Sequence, residues 1–464
     1  MQLIYGIKDR PKISQLLVFS LQQLLAILAA TIAVPAIVGN GMSASAALFG
    51  AGIGTLVYQL FTRFKSPVFL GSSFAFIGSM FAAFGGGVSM AVGYVGLLIG
   101  ALMAALVYVI IAVVVKFAGV AWIKKIMPAV VIGPTVTIIG LSLAINAVQD
   151  SLGGYNTLVL DSNGAIVIGA RSGAHELLCL LCALVTLFTV VLCSVYGKRM
   201  FKLIPFVMGI GAGYVVAAIL TVIGNIADVT AMQIIDFSRF NNMQWYPDFA
   251  FIRALGGSYD FGEIGSFGAY LGTLAVAYIP VAFVVFAEHL ADHKNLSSII
   301  GQDLTEDPGL SRTLLGDGIG SVAGAFFGGC PNTTYGESVG CVAITGNASV
   351  ITITVTAFMA IISSFIAPFV TLLSTIPACV MGGVCIALYG FIAVSGLKMF
   401  KEVDLGDNRN LFTVSVILIA GVGGMKLLFG KVTLTAIAAA LILGIIVNLV
   451  LNLKKTPDAG EDNE

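Results

Sequence analysis

Charged residues are scarce in this chain of 464 residues. Only 10% of the residues are Asp, Glu, Lys or Arg, whereas a soluble globular domain carries about 25%. The 23 basic and 23 acidic residues give a formal net charge of zero, so the charge balance does not favour a nucleic-acid partner. The scarcity of charge also argues against a large soluble core.

Motifs of enzymes and cofactor sites are absent or incomplete. The stretch HELLC (His175–Cys179) lacks the second histidine of a zinc-protease helix. GDGIGSVAG (Gly316–Gly324) has no preceding soluble strand, as a dinucleotide fingerprint requires, and its small residues at four-residue spacing favour helix–helix packing. We therefore predict no enzymatic activity, no cofactor and no metal.

The seven cysteines are odd in number and do not lie in a small secreted domain, which argues against a disulfide framework. Nearly all of them lie in apolar segments. The spacing Cys179-x-x-Cys182 resembles a metal or redox pair, but the sequence offers no second pair to complete it. We interpret these cysteines as small apolar residues.

Long apolar runs are abundant instead. The chain is 58% hydrophobic, with a mean hydropathy of +1.03. Runs such as LLVFSLQQLLAILAATIAV and GYVGLLIGALMAALVYVIIAVVV reach the roughly 20 residues of a bilayer-spanning helix. The first run is longer than the apolar region of a secretory signal peptide, about 7–15 residues, and is interpreted as a retained span. The pattern predicts an all-α polytopic membrane protein.

The lengths of the apolar runs, and the Gly, Pro and charged residues that separate them, predict fourteen helical membrane segments. They cover residues 13–34, 45–63, 74–84, 91–117, 126–146, 175–196, 202–225, 266–291, 312–328, 335–345, 348–370, 377–397, 410–424 and 431–453. The third and the tenth are too short to cross a bilayer alone.

Basic residues indicate the orientation. With a cytoplasmic N-terminus, about 18 of the 23 Lys and Arg residues fall in cytoplasmic segments, which satisfies the positive-inside rule. Both termini then lie in the cytoplasm. This requires an even number of crossings, so the two short segments are counted as crossings.

The two short segments occupy the third place in each set of seven. Both follow a proline and small polar residues, in SPVFLGSSFAF (Ser66–Phe76) and CPNTTYGES (Cys330–Ser338). Because seven is odd, the two sets enter the membrane from opposite sides and form a 7+7 inverted repeat. Matched interruptions of this kind indicate the central binding site of a transporter, whereas ordinary glycine kinks have no reason to recur in matching places.

Extended backbone cannot face lipid, so these interruptions must pair internally or line a cavity. We predict that VFLGSS and CPNTT form two short antiparallel β-strands near the bilayer centre. Half-helices would follow from about Phe74 and Tyr335. Their free N-terminal amides would point at a polar solute.

Acidic side chains inside predicted spans are candidate functional groups, because a charge within a membrane is expensive. Glu337 follows the second interruption, and Glu288 lies in IPVAFVVFAEHLADH. Asp292 lies one helical turn after Glu288 on the same face. Burial disfavours the charged form of a carboxyl group, and facing acids disfavour it further. We expect these residues to bind a proton together with a hydrogen-bonding solute.

Other residues near Glu288 receive different interpretations. His289 lies on another face of the helix. His293 and Lys294 are predicted to be solvated at the cytoplasmic end. The alternative for Asp292 is that it begins the cytoplasmic loop.

Six stretches resemble the nucleobase–ascorbate transporter family, also called nucleobase–cation symporter-2, and within it the bacterial uracil permeases. They are SLQQLLAILAATIAVP (Ser20–Pro35), LGSSFAFI (Leu70–Ile77), AEHLADH (Ala287–His293), DPGLSRTLLGDG (Asp307–Gly318), GGCPNTTYGESVGCVAITG (Gly328–Gly346) and MGGVCIALYG (Met381–Gly390). They span most of the chain in the family's order, and PNTTYGE is highly specific.

The resemblance implies a core domain of segments 1–4 and 8–11 (residues 1–118 and 266–370). It implies a gate domain of the remaining segments (119–265 and 371–464, with the acidic tail PDAGEDNE). It also implies inward symport of uracil with protons across the cytoplasmic membrane, and a homodimer through the gate domains. No Walker A motif is present, so ATP would not drive this transport directly.

The same resemblance implies the site residues. Substrate would contact the side chains of Glu288 and Glu337 and the backbone near Phe74 and Gly336. The residues expected to line or close the pocket are Ala30, Thr31, Ser73, Tyr335 and Tyr389. Proton coupling would involve Glu288, Asp292 and Glu337.

The sequence departs from the family pattern at two positions. Some uracil permeases place a histidine one turn after the first glutamate, where this chain has Asp292 with His293 beside it. The signature Asn is Ser338, so a hydrogen bond from that amide is lost or made through water. In the family that the chain resembles, a Glu at the position of Glu337 goes with uracil and a Gln with oxidised purines, which favours uracil over xanthine.

Three alternatives remain open. One is a permease for xanthine or another nucleobase. Another is an anion transporter of the same fold, although two central carboxylates would repel an anion. The third is an intramembrane enzyme, for which the sequence has no convincing metal triad or nucleophile–base pair.

Overall fold

A computed structural model describes residues 3–119, 121–153, 158–160, 166–168, 173–198, 200–425, 427–429, 432–434 and 436–453. The acidic tail lies outside the described residues. So do six basic residues that entered the orientation count, namely Arg171, Arg199, Lys426, Lys431, Lys454 and Lys455.

The described chain is mainly helical. Its helices are α1 (Ile13–Val38), α2 (Ala44–Phe61), α3 (Ile77–Ala83), α4 (Met90–Ala118), α5 (Ala121–Ile126), α6 (Ala129–Ser142), α7 (Ala144–Ser151), α8 (Gly173–Tyr196), α9 (Met200–Leu203), α10 (Pro205–Ala227), α11 (Ala250–Leu255), α12 (Phe267–Ile300), α13 (Leu310–Phe326), α14 (Gly336–Thr345), α15 (Val350–Ser363), α16 (Ala367–Ser374), α17 (Ala378–Lys398), α18 (Asn408–Val422) and α19 (Ala436–Asn452). Short 3-10 turns cover residues 230–232, 237–242, 262–264 and 399–402, and a π turn covers 305–309. The strands are β1 (Leu70–Ser72), β2 (Leu158–Leu160), β3 (Ile166–Ile168), β4 (Asn332–Thr334), β5 (Leu427–Phe429) and β6 (Val432–Leu434).

Helix starts follow the local sequence. Ser43, Ser89 and Ser266 each accept a hydrogen bond from a backbone amide in the first turn of α2, α4 and α12. Such caps satisfy amides that the helix itself leaves unpaired. Long apolar stretches with few charges then continue these helices.

Each predicted segment contains a helix, but several bounds differ. The predicted segment 126–146 breaks at Leu143 into α6 and α7. The predicted segment 348–370 consists of α15 and α16, which are bent by 83° at their break. The prediction that the third segment becomes helical at Phe74 is wrong, because Phe74 lies in a turn and α3 begins at Ile77.

By length and apolar composition, eight helical stretches of the described residues could each cross a bilayer when α6 and α7 are counted together, or nine if α15 and α16 also form one span. Helices α18 and α19 are shorter apolar helices. The molecule is therefore a helical protein with multiple membrane-capable helices.

The two interrupted segments meet as predicted. Strand β1 pairs antiparallel with β4, so that Leu70 lies opposite Thr334 and Ser72 opposite Asn332. All six strand residues are buried. The pairing continues at both ends, where Tyr335 N–H donates to Phe69 O (3.2 Å) and Ser73 N–H donates to Pro331 O (2.9 Å).

Most close contacts between helices fall into two groups. In the first, α2 contacts α13 and α15, α4 contacts α12 and α13, and α1 contacts α15. In the second, α17 contacts α6, α7 and α8, α8 contacts α10, and α18 contacts α6 and α19. Strands β1 and β4 belong to the first group through contacts with α2, α1 and α13.

Contacts made by helices of the first seven segments have counterparts made by helices of the last seven. The contact of α1 with α15 corresponds to that of α12 with α4, and α1 with α14 corresponds to α12 with α3. In the second group, α8 with α10 corresponds to α18 with α19, and α6 with α18 corresponds to α17 with α8.

Glycines allow α2 and α13 to cross closely. A Cβ added at Gly50 would lie 2.7 Å from the carbonyl oxygen of Gly324, and one added at Gly54 would lie 2.7 Å from that of Gly320. The interpretation of GDGIGSVAG as a helix-packing stretch is therefore confirmed. The crossing supports β4, because Asn332 Nδ2 donates to Gly50 O at 3.0 Å.

Candidate functional site

The N-terminus of α14 is not fully buried. Tyr335 precedes it with extended backbone (φ −106°, ψ 122°), and Glu337 lies in its first turn. Gly336 is exposed and Glu337 is half-buried, although the surrounding residues of β4 and α14 are buried. The unpaired amides of a helix start make such a position suitable for a polar ligand.

Helix α12 brings two more carboxyl groups to this position. Thr334 Oγ1 donates to Asp292 Oδ2 at 2.9 Å. Asp292 Oδ1 lies 3.7 Å from the position that a Cβ would take on Gly336. Glu288 interacts electrostatically with both Asp292 and Glu337. The three acids expected to share a site are therefore neighbours.

All three acidic residues keep part of their surface exposed. Glu288 and Asp292 are half-buried, whereas Ala287 and His289 on the same helix are fully buried. The alternative that Asp292 begins a loop is wrong, because α12 continues to Ile300.

The residues expected to line a pocket are buried in this part of the molecule. Phe74 contacts Tyr389 edge-to-face, with ring centroids 5.7 Å apart, and so joins the turn before α3 to α17. Tyr335 Oη donates to Ser72 O at 2.9 Å, and Ser72 Oγ donates to Thr31 O at 3.2 Å. Thus Tyr335 and Thr31 hold β1 in place.

Ala30 and Ser73 are also buried. Within the described part of the chain, the Ser73 hydroxyl has no hydrogen-bond partner. An unpaired buried hydroxyl beside the strand crossing is a group that a ligand could satisfy.

Ser338 is engaged inside the protein. Its buried hydroxyl accepts a hydrogen bond from Phe69 N–H at 3.0 Å and a second from Gln23 Nε2 at 2.5 Å. These direct contacts connect α14 to the strand β1 region and to α1. The sequence predicts that the hydrogen bond of the family's Asn side chain is lost here or made through water. The structure shows instead that the Ser338 hydroxyl makes these two direct hydrogen bonds within the protein.

Sequence reasoning missed a second buried polar cluster behind the site. His289 Nδ1 lies 2.8 Å from Asp317 Oδ2, and His289 Nε2 lies 2.9 Å from Thr313 Oγ1. The imidazole of His293 stacks on that of His289 at 4.0 Å, and its Nε2 lies 2.7 Å from Tyr58 Oη. Asp317 could have been found by the criterion applied to Glu288, a carboxylate within a predicted span.

The prediction that His293 is solvated is wrong. Its side chain is fully buried, because α12 extends past the predicted end at residue 291. The other half of that prediction, that His289 lies on a different face from Glu288, is confirmed by its contact with Asp317 rather than with the carboxyl cluster.

A strongly apolar helical protein with two crossed, interrupted segments and carboxyl groups beside them belongs to the class of membrane transport proteins. A family model described as "Permease family" matches residues 14–429. The chain belongs to this permease family and is not an enzyme.

Curated relatives match along nearly the whole chain. The uracil permease of Bacillus caldolyticus is 37% identical over 453 residues, covering 97% of this chain and 94% of the relative. The uracil permease of Bacillus subtilis (strain 168) is 36% identical over 458 residues, covering 98% and 96%. The uracil permease of Escherichia coli (strain K12) is 32% identical over 457 residues, covering 97% and 94%.

Solved structures support the fold. The transmembrane domain of the cyanobacterial bicarbonate transporter BicA has a TM-score of 0.60 at 15% identity, covering 96% of this chain and 98% of that one. SLC26A9 has a TM-score of 0.63 at 14% identity, covering 95% and 66%. At these identities the likeness concerns the fold alone.

Proposed function

We propose that this permease is a proton-coupled symporter that imports uracil across the cytoplasmic membrane. The observation that carries the proposal is the meeting of Glu288, Asp292 and Glu337 beside the start of α14, where β1 and β4 cross. The relatives named uracil permease, at 32% to 37% identity, support the choice of substrate.

Uracil fits the chemistry of this position. The ring offers two N–H donors and two carbonyl acceptors. The carboxyl groups of Glu288 and Glu337 accept from the N–H groups, while backbone amides near Phe74 and Gly336 donate to the carbonyls. A site of this kind can reject analogues that lack these groups by about 10⁴-fold.

The three carboxyl groups together bind the transported proton. Three acids in electrostatic contact favour a state in which at least one carries a proton, since protonation relieves the repulsion between like charges. Binding of the neutral uracil ring beside the protonated cluster then couples the transport of uracil to that of the proton. Asp292 takes part through its bond to Thr334 Oγ1 on β4.

We propose fourteen crossings in a 7+7 inverted repeat, with both termini in the cytoplasm. The recurrence of helix contacts between the two halves and the antiparallel pairing of β1 with β4 support the repeat. The two groups of helices correspond to the core and gate domains. The distribution of basic residues supports the orientation. We also propose the homodimer through the gate domains that the family resemblance implies.

An anion transporter is the weaker alternative. The similar structures include a bicarbonate transporter and an anion transporter, but three neighbouring carboxyl groups would repel an anion. Xanthine remains a competitor within the permease family, and Glu337 favours uracil over it.

Uptake of labelled uracil into proteoliposomes tests the proposal. We expect an inward proton gradient to stimulate uptake, unlabelled uracil to compete, and xanthine to compete poorly. Glu337→Gln should strongly reduce uptake, because the amide keeps the shape but cannot exchange a proton. Glu306→Gln, at an exposed acid, is the matched control and should transport normally. Uptake that ignores the gradient, or normal uptake by Glu337→Gln, would refute the mechanism.

A further inference from the structure

Three thiols and an imidazole meet where the N-terminal half of α8 lies against the first turn of α17. Cys179 and Cys182 lie one turn apart on α8, and Cys379 is the second residue of α17. The Cys379 thiol is within hydrogen-bonding reach of both α8 thiols. His175 Nε2 lies 3.4 Å from Cys179 Sγ. The structure thus supplies, from another helix, the partner that the Cys179-x-x-Cys182 spacing lacked in the sequence.

A cavity of about 490 Å³ reaches this cluster. Its lining includes His175, Cys179 and Cys379. Thr230 and Gln233, from the largely exposed segment after α10, line another part of it. A small polar molecule in the cavity would therefore contact two of the thiols and the imidazole. The cavity lies between α8, α17 and the segment after α10, and its lining includes none of the three acids of the carboxyl cluster.

Thiol chemistry suits the cluster better than metal binding. Among the described residues, no group of three His, Cys, Asp or Glu side chains has an arrangement that could hold a metal ion. All seven cysteines are described, and they are present as thiols. Disulfide exchange requires an attacking thiolate, a base to take its proton and a second thiol within reach. Cys179, His175 and Cys379 meet these requirements.

We propose that this cluster is a thiol–disulfide exchange site for low-molecular-weight disulfides, which oxidise it to a bond between α8 and α17. His175 Nε2 takes the proton of Cys179, whose sulfur attacks the reagent disulfide. A mixed disulfide forms and the first reagent thiol leaves with that proton. Cys379 then attacks the Cys179 sulfur, and the second reagent thiol leaves with the Cys379 proton. Two protein thiols are oxidised and one reagent disulfide is reduced to two thiols.

Cys182 gives the site a second outcome. Its sulfur can attack Cys379 in the oxidised protein, which moves the disulfide to Cys182 and releases Cys179 as a thiol. The bond remains between α8 and α17 in either form. Without Cys179, the Cys379 sulfur, which also lines the cavity, can attack the reagent disulfide and release one reagent thiol, and Cys182 can then attack the Cys379 sulfur and release the second. Loss of Cys179 should therefore slow oxidation without abolishing the link, whereas loss of Cys379 should abolish it.

The crosslink would join two helices that already touch. A Cβ on Gly383 of α17 would lie in hard contact with Ala183 O of α8, so the two helices have little freedom to separate. Oxidation should consequently raise the thermal midpoint, since a crosslink constrains the unfolded chain. It should leave uracil uptake unchanged, because neither helix has to move relative to the other.

The experiment uses the full-length protein in detergent, treated with glutathione disulfide and then with dithiothreitol. Peptide mass spectrometry of the alkylated protein should find Cys379 linked to Cys179 or Cys182, and the reductant should reverse the link. Cys379→Ser should remove the link. Cys193→Ser on α8 and Cys385→Ser on α17 are matched controls and should retain it.

Folding of each variant is checked by uracil uptake and by thermal midpoint in the reduced state. A wild-type protein that stays fully reduced, a link that persists in Cys379→Ser, or a link that requires Cys193 would each overturn the proposal. A higher midpoint on oxidation of the wild type, absent in Cys379→Ser, would support it.

Discussion

The close crossing of α2 and α13 makes Gly54→Ala a sharp test of how the site is supported. A Cβ at Gly54 would lie 2.7 Å from Gly320 O and in hard contact with Asn332 Nδ2. Real Cβ atoms essentially never approach another atom closer than 3.0 Å, so a helix or the strand must move. The carbonyl belongs to a helix backbone, and the amide side chain is tied to Gly50 O. Moving either group would therefore cost free energy.

Overpacking of this kind costs about 1–3 kcal/mol. We expect Gly54→Ala to lower the thermal midpoint of the purified protein. Uracil uptake should also fall, because Asn332 begins β4, the strand that leads into the start of α14. Thermal unfolding followed by intrinsic fluorescence, and initial uptake rates in proteoliposomes, measure the two effects.

Gly268→Ala is the matched control, because an added Cβ there meets nothing within 4 Å. It lies at the start of α12, and the change should leave the midpoint and uptake equal to the wild type or slightly raise the midpoint. If Gly54→Ala had the same midpoint and uptake as Gly268→Ala, the idea that the close crossing of α2 and α13 supports β4 would be refuted.

Two further substitutions test the buried polar contacts. Ser338→Ala removes the acceptor for Phe69 N–H and Gln23 Nε2. Because each buried donor left unpaired costs about 1–3 kcal/mol, the thermal midpoint and the affinity for uracil should both fall. Unchanged values in thermal unfolding and competition assays would contradict this. His289→Ala should lower the thermal midpoint more than Asp317→Asn does. The Asn side chain would keep an acceptor for the imidazole, whereas Ala leaves a cavity and an unpaired buried acid. The reverse order of midpoints would contradict the contact between His289 and Asp317.

Much of the architecture follows from local features of the sequence. Long apolar runs predict helices wherever they occur, since hydropathy and length are properties of a single stretch. The interruptions at Leu70–Ser72 and Asn332–Thr334 were predictable as antiparallel strands, because unpaired backbone in a membrane has few other partners. The proximity of Glu288 and Asp292 followed from helical periodicity.

Only the tertiary structure decided which distant side chains meet. Ser338 and Gln23 are 315 residues apart in the chain, and no local pattern connects them. Cys379 completes the α8 thiol pair for the same reason. The helical character of an apolar run, and the place of an acid within it, are fixed by neighbours in the sequence. The partners of a buried polar group are chosen by the crossing of helices far apart along the chain.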